Sequence, residues 1–155
     1  MSSSLQSLIY SRGSLTVIDQ LKLPHELVYI EVNTSEDAWT AIRTMQVRGA
    51  PLIAIVAALA LAVHVNKVRT TFKCSSDAAE FLSDKMTYLR TSRPTAVNLF
   101  VATDELLATV LELQGKNGST ADSVVDGFLK EAEVSLLINF LGTPQIETPF
   151  MVMFG

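Results

Sequence analysis

A run of sixteen residues, from 50 to 65, carries no Asp, Glu, Lys or Arg and only one polar side chain: Ala-Pro-Leu-Ile-Ala-Ile-Val-Ala-Ala-Leu-Ala-Leu-Ala-Val-His-Val. Such a run has to be hidden, either in a bilayer or in a protein core. A membrane-spanning helix needs about 20 predominantly apolar residues. This stretch is shorter, rich in alanine, and bounded by His64, Asn66 and Lys67. It opens with Pro51, whose missing N–H costs nothing in the first turn of a helix. The pattern therefore predicts a helix running to about Val65, apolar on nearly every side, at the centre of a domain.

The flanking sequence supplies elements to cover it. Leu15 and Val17, then Leu27 and Tyr29, alternate with more polar neighbours. Arg12-Gly13 signals a turn and Leu23-Pro24 a break, so residues 8–32 predict a small antiparallel sheet. Thr34 is a suitable N-cap, with Glu36 and Asp37 in the first turn and Ala38, Ile42 and Met45 on one face. Gly49 lies just past this helix, where a left-handed residue is often needed. A third helix is predicted over 77–91, capped by Ser76, with Ala78, Leu82, Met86 and Leu89 as its stripe. Pro94 should open a fourth, to about Gln114, burying Val97, Phe100, Leu107 and Leu111. Ser119 should cap a fifth, with Asp122 as an acidic capping-box partner and Val125, Phe128, Leu129 and Ala132 inside. The expected class is α+β, mostly α: a small N-terminal antiparallel sheet followed by a helical bundle. At 155 residues the chain fits one compact domain.

The character changes after Glu133. From 134 to 155 the one charged residue is Glu147, and Pro144 and Pro149 interrupt any long element. Residues 1–133 thus predict a helical domain and 134–155 an apolar tail. That tail reads either as a strand completing the core or as sequence never shaped for this fold.

The formal net charge of -4 argues against nucleic acid, which asks for a basic face. No lysine or arginine run suggests a membrane surface. One cysteine, Cys74, forms no internal disulfide, and the N-terminus lacks a secretory pattern. A reduced, cytoplasmic location is expected, with the nucleus as a second compartment. His25 and His64, without a Cys, Asp or Glu cluster, make no metal site. His64 reads as a capping or packing residue, and Trp39 as packing against the sheet or another domain.

Chemistry concentrates at two helix starts. In Val47-Arg48-Gly49-Ala50-Pro51 an arginine precedes a proline-led helix. A helix start offers unpaired N–H groups and the positive end of the dipole, an anion site. Gly49 permits close approach, Arg48 adds a forked donor, and the amides of Gly49, Ala50 and Leu52 are the candidate donors. Thr91-Ser92-Arg93-Pro94-Thr95-Ala96-Val97-Asn98 repeats the grammar. Each also reads as an ordinary helix–helix corner with a solvated arginine.

These segments resemble a known family. Tyr10-Ser-Arg-Gly-Ser-Leu15 with Asp19-Gln20 and Leu23-Pro24, Ala38-Trp39-Thr-Ala-Ile-Arg-Thr-Met45 leading into Val47-Arg-Gly-Ala-Pro-Leu-Ile53, and Ser92-Arg-Pro-Thr-Ala-Val-Asn-Leu99 are similar to methylthioribose-1-phosphate isomerases, over about residues 7–133. The larger family includes the translation initiation factor 2B regulatory subunits. The resemblance implies conversion of 5-methylthioribose 1-phosphate to the ketose in methionine salvage, with no metal or organic cofactor. It implies a homodimer, with substrate held by Arg48, Gly49, Ala50 and Arg93. The family's Rossmann-like C-terminal domain, with a catalytic cysteine in Cys-Asn-Thr-Gly and a catalytic aspartate, has no counterpart here. The resemblance therefore implies a truncated form with no catalytic residue of its own and an unrelated tail, inactive alone. A non-catalytic regulatory module is the other family reading.

Overall fold

The computed structural model describes residues 8–141. Three antiparallel strands come first, β1 (Leu8–Ser11), β2 (Ser14–Ile18) and β3 (Tyr29–Glu31), in the order β1-β2-β3. Gly13 makes the tight β1–β2 turn at φ 93°, a conformation only glycine reaches at little cost. Tyr10 pairs with Leu15 and Val17 with Ile30. Directly opposed residues share a face, so the buried Leu8, Tyr10, Leu15 and Val17 carry Ile30 inward with them. The expected alternation at Leu27 and Tyr29 is displaced by one residue. Both are exposed, and Ile30 and the buried Val32 turn inward instead.

Five helices follow: α1 (Ser35–Arg43), α2 (Ala50–Val68), α3 (Ser75–Arg90), α4 (Val97–Gln114) and α5 (Ala121–Leu141). A 3-10 turn, Arg69–Thr71, links α2 to α3. The architecture is the expected α+β, mostly α. Among the described residues the only sheet is the antiparallel one. Helix α2 is the axis, and α1, α3, α4 and α5 all pack on it. Every residue from Ile55 to Val63 is buried. Nine consecutive residues span about two and a half turns, so no side of the helix is left bare. Four of those nine are alanines, which let the neighbouring helices approach closely. The helix and the 3-10 turn are together long and apolar enough to cross a membrane, but 72% of the most apolar stretch is covered by the protein itself.

Local chemistry explains most helix ends. The Thr34 hydroxyl accepts the Asp37 N–H at 3.0 Å, and the Asp37 carboxylate accepts the Asn33 N–H at 2.9 Å, which closes a reciprocal cap. Helix α3 starts at Ser75, two residues before the expected position, because the Asp77 carboxylate reaches back to the Lys73 N–H at 2.9 Å. For α5 the reciprocal partners are Thr120 and Ser123, at 2.9 and 3.0 Å, not Ser119 and Asp122. Asp122 pairs with Arg69 instead.

Three further expectations are corrected. Met45 does not continue the inner face of α1. The helix stops at Arg43 and Met45, at φ 68°, takes the left-handed position expected of Gly49 and is exposed. Pro94 does not open α4. It sits in a turn closed by the Ala96 N–H on the Arg93 carbonyl at 3.0 Å, and the helix starts at Val97. Proline favours the second position of such a turn. The inner face of α4 is Leu99, Thr103, Leu106 and Val110, leaving Val97 and Leu111 exposed.

The boundary expected after 133 falls inside α5, which runs on to Leu141. Glu133 itself closes the domain. Its carboxylate takes the Tyr10 hydroxyl at 2.8 Å and both arms of Arg12 at 2.9 and 3.0 Å. The β1–β2 hairpin is thereby tied to the last helix. Residues 142–155 lie outside the described residues, and so does most of the apolar tail.

His64 caps a helix start. Its Nδ1 accepts the Ser35 N–H at 3.0 Å, the first amide of α1, and its ring meets the edge of Phe81. Burial, with Lys85 and Lys67 nearby, holds the imidazole pKa below its ordinary 6.5 against the pull of Glu36 and Asp37. The unfolded chain thus binds the proton at higher pH than the folded one. The contribution is whole above about pH 6.5 and is lost as pH falls below it, until the folded histidine also protonates. In His64→Gln the fall in melting temperature between about pH 6.5 and 5.5 should be shallower than in the parent. Equal slopes would mean that another group carries the pH dependence.

Candidate functional site

The α1–α2 corner is built by the way α1 ends. The Thr44 N–H bonds to Thr40 and the Met45 N–H to Ile42, and the left-handed Met45 reverses the chain. Val47, fully buried, anchors the corner through its N–H on the Ala41 carbonyl at 3.1 Å. Arg48, Gly49 and Ala50 then emerge exposed. Gly49 is the N-cap of α2, at φ 99° and ψ 125°. No atom lies within 4 Å of the place a Cβ would occupy there, so the space over the helix start is open. Pro51 stands in the first turn, as expected.

The helix starts differ in their electrostatics. α1 has a side-chain cap and two acids in its first turn, α3 has Asp77, and α5 has Asp122. α2 and α4, which follow Arg48 and Arg93, have neither a side-chain cap nor an acid there. Their positive dipole ends are not offset by a neighbouring side chain.

The second arginine comes to the same corner. Trp39 on α1 donates its indole N–H to the Thr91 hydroxyl at 2.8 Å and stacks on Tyr88 at 5.9 Å. Within the described residues its partners are at the end of α3. It fixes the 91–93 turn against α1. Arg93, half-buried, then reaches the Ile42 carbonyl with one Nη at a long 3.5 Å. That carbonyl also accepts the Met45 N–H at the start of the corner. Arg93 is therefore at the end of α1 that leads into Arg48 and Gly49.

The other residues of the second segment go elsewhere. Ser92 is buried and its hydroxyl donates to the Leu89 carbonyl at 2.6 Å, so it faces its own helix end. Thr95 and Asn98 are exposed. A hollow of ≈ 350 Å³ beside Thr95 is lined by Arg90, Phe100 and Asp104 among others, and by neither Arg48 nor Arg93. Arg90 is already committed there, to Asp104 at 2.8 Å and to the Phe100 ring at 4.3 Å. Cys74 is an exposed thiol just ahead of α3. Among the described residues no three His, Cys, Asp or Glu side chains gather as metal ligands.

Sequence reasoning missed the residues that hold the corner from the sheet side. The Asp19 carboxylate accepts the Gln46 side-chain amide at 3.1 Å, and the Gln20 N–H donates to the Gln46 carbonyl at 2.9 Å. Asp19 and Gln20 are conspicuous as neighbours in the sequence, but no local pattern pairs them with a residue more than twenty positions away.

A small antiparallel sheet and five helices packed about one apolar helix, with an arginine ahead of an uncapped helix start, define the class of the domain. Residues 46–137 match the Initiation factor 2 subunit family. A methylthioribose-1-phosphate isomerase of Vitis vinifera is 52% identical over 130 residues, covering 84% of this chain and 34% of the relative. The crystal structure of 5-methylthioribose 1-phosphate isomerase from Pyrococcus horikoshii OT3 superposes with a TM-score of 0.77 at 27% identity, over 86% of this chain and 36% of that one. Translation initiation factor eIF-2B, subunit delta, from A. fulgidus gives 0.72 at 34% identity, over 85% and 36%. This chain belongs to the Initiation factor 2 subunit family. It spans about a third of the length of the curated relatives it matches.

Proposed function

We propose that this chain is the phosphate-holding N-terminal part of an S-methyl-5-thioribose-1-phosphate isomerase. The observation that carries the reading is Arg93 lying at the end of α1 that leads into Arg48 and Gly49. Arg48, Arg93 and the amides of Gly49 and Ala50 bind the phosphoryl group through charge-assisted donors. The isomerisation moves a hydrogen between C1 and C2 and needs a positioned acid and base. Because the C1 oxygen carries the phosphoryl group, the ring does not open by the ordinary route first. His64 commits its Nδ1 to Ser35 and His25 is exposed on the loop ahead of β3, away from the α1–α2 corner in sequence. The acid and base belong to the catalytic part of the longer relatives, and the chain alone binds without turnover.

In the same reading residues 1–133 are the domain and 134–155 a divergent tail whose first eight residues continue α5. The complete enzyme is a cofactor-free homodimer of the cytoplasm and nucleus. A second reading, a non-catalytic regulatory module, is favoured by the higher identity to the initiation-factor subunit than to the isomerase among the two solved structures. Incubating the purified chain with 5-methylthioribose 1-phosphate and following the sugar by NMR separates these. The isomerase-part reading expects saturable binding and no ketose. Absence of any binding would support the regulatory reading.

A further inference from the structure

We infer that Asp19 is the positioning residue of the phosphate corner, holding the loop before α2 so that Arg48, Gly49 and Ala50 face one ligand. The inference rests on the phosphoryl-holding reading above. Residues 44–49 belong to no helix or strand, so their conformation must be imposed from outside. Asp19 stands one residue past β2 and is 4% exposed. Its Oδ1 accepts the Leu21 N–H at 3.0 Å, which fixes the carboxylate in its own turn. Its Oδ2 accepts the Gln46 Nε2 at 3.1 Å.

The next residue completes the grip. The Gln20 N–H donates to the Gln46 carbonyl at 2.9 Å, and its side-chain amide extends towards the Arg48 carbonyl at 3.5 Å. Gln46 is thus held by side chain and backbone at once. Val47, the following residue, is pinned to the Ala41 carbonyl. Clamped at 46 and 47, the chain leaves the corner with Arg48, Gly49 and Ala50 exposed. A bound anion needs those donors already aimed, because ordering them on binding would consume affinity. Asp19 touches no ligand in this scheme and acts through Gln46.

The test is calorimetric titration of the 155-residue chain with 5-methylthioribose 1-phosphate. Asp19→Ala and Gln46→Leu should each weaken binding about tenfold, the ceiling set by one well-made hydrogen bond. Glu133→Gln serves as a control for stability alone, since it loosens the contact of α5 with the hairpin at Tyr10 and Arg12. It should lower the melting temperature and keep the parent Kd. Should Asp19→Ala fail to fold, Gln46→Leu decides the matter from the half-exposed side of the same bond. If both variants bind within about twofold of the parent while Arg93→Ala binds at least about tenfold more weakly, the clamp is wrong and the phosphate site stands. If the parent itself does not bind, the site reading fails and takes the clamp with it.

Discussion

Arg93→Ala should weaken binding of 5-methylthioribose 1-phosphate by this chain about 10- to 100-fold, the range for a charged hydrogen-bonding group. Arg93 is half-buried, and its guanidinium already rests at the end of α1, against the Ile42 carbonyl. Little entropy remains to be lost on binding, so the guanidinium delivers most of its interaction energy. Arg48 is exposed, and Arg48→Ala should cost less, because a solvated side chain must be ordered first. Melting temperature should hardly move in either variant, since neither side chain fills the core. Titration calorimetry with a thermal melt on the same samples checks both statements. Equal binding by parent and Arg93→Ala would remove the second arginine from the site.

Leu59→Ala should remove about 3 kcal/mol of stability, within the range for a leucine deleted from a packed core. Leu59 is fully buried at the centre of α2, the helix on which every other helix packs. The side chains around it belong to helices held by their own packing on α2, so the cavity closes only in part. The control is Leu111→Ala on α4. The apolar spacing predicts a buried Leu111, whereas the structure leaves it 55% exposed, so its loss should stay below about 0.5 kcal/mol. Urea midpoints at unchanged slope measure both. A Leu111→Ala loss as large as that of Leu59→Ala would mean that α4 faces the other way.

Those two leucines mark where the sequence speaks and where it stops. Helix α2 is legible because its composition allows no exposed side, and the Thr34 cap is legible because its partner is three residues away. Helix α4 is not, since Val97, Leu99, Phe100, Val101, Leu106, Leu107, Val110 and Leu111 surround it and periodicity picks no single face. Its start is ambiguous because a proline before a helix fits a turn as well as a first helical position. The α1–α2 corner is half legible. Arg48, Gly49 and Pro51 announce a helix start, and Gly49 takes the positive φ that only glycine reaches at little cost. What brings Arg93 to that corner, and what holds Gln46, are contacts between distant segments. Trp39 with Thr91 and Asp19 with Gln46 are invisible to any local pattern.

The most direct measurement is an NMR titration of the chain with 5-methylthioribose 1-phosphate, following the Gly49 and Ala50 amides and the Arg93 Nε–H together. A single phosphoryl group held at this corner by both arginines predicts that all three signals move with one common Kd while the sugar stays an aldose phosphate. Signals that saturate separately, or ketose formed by the chain alone, would contradict it.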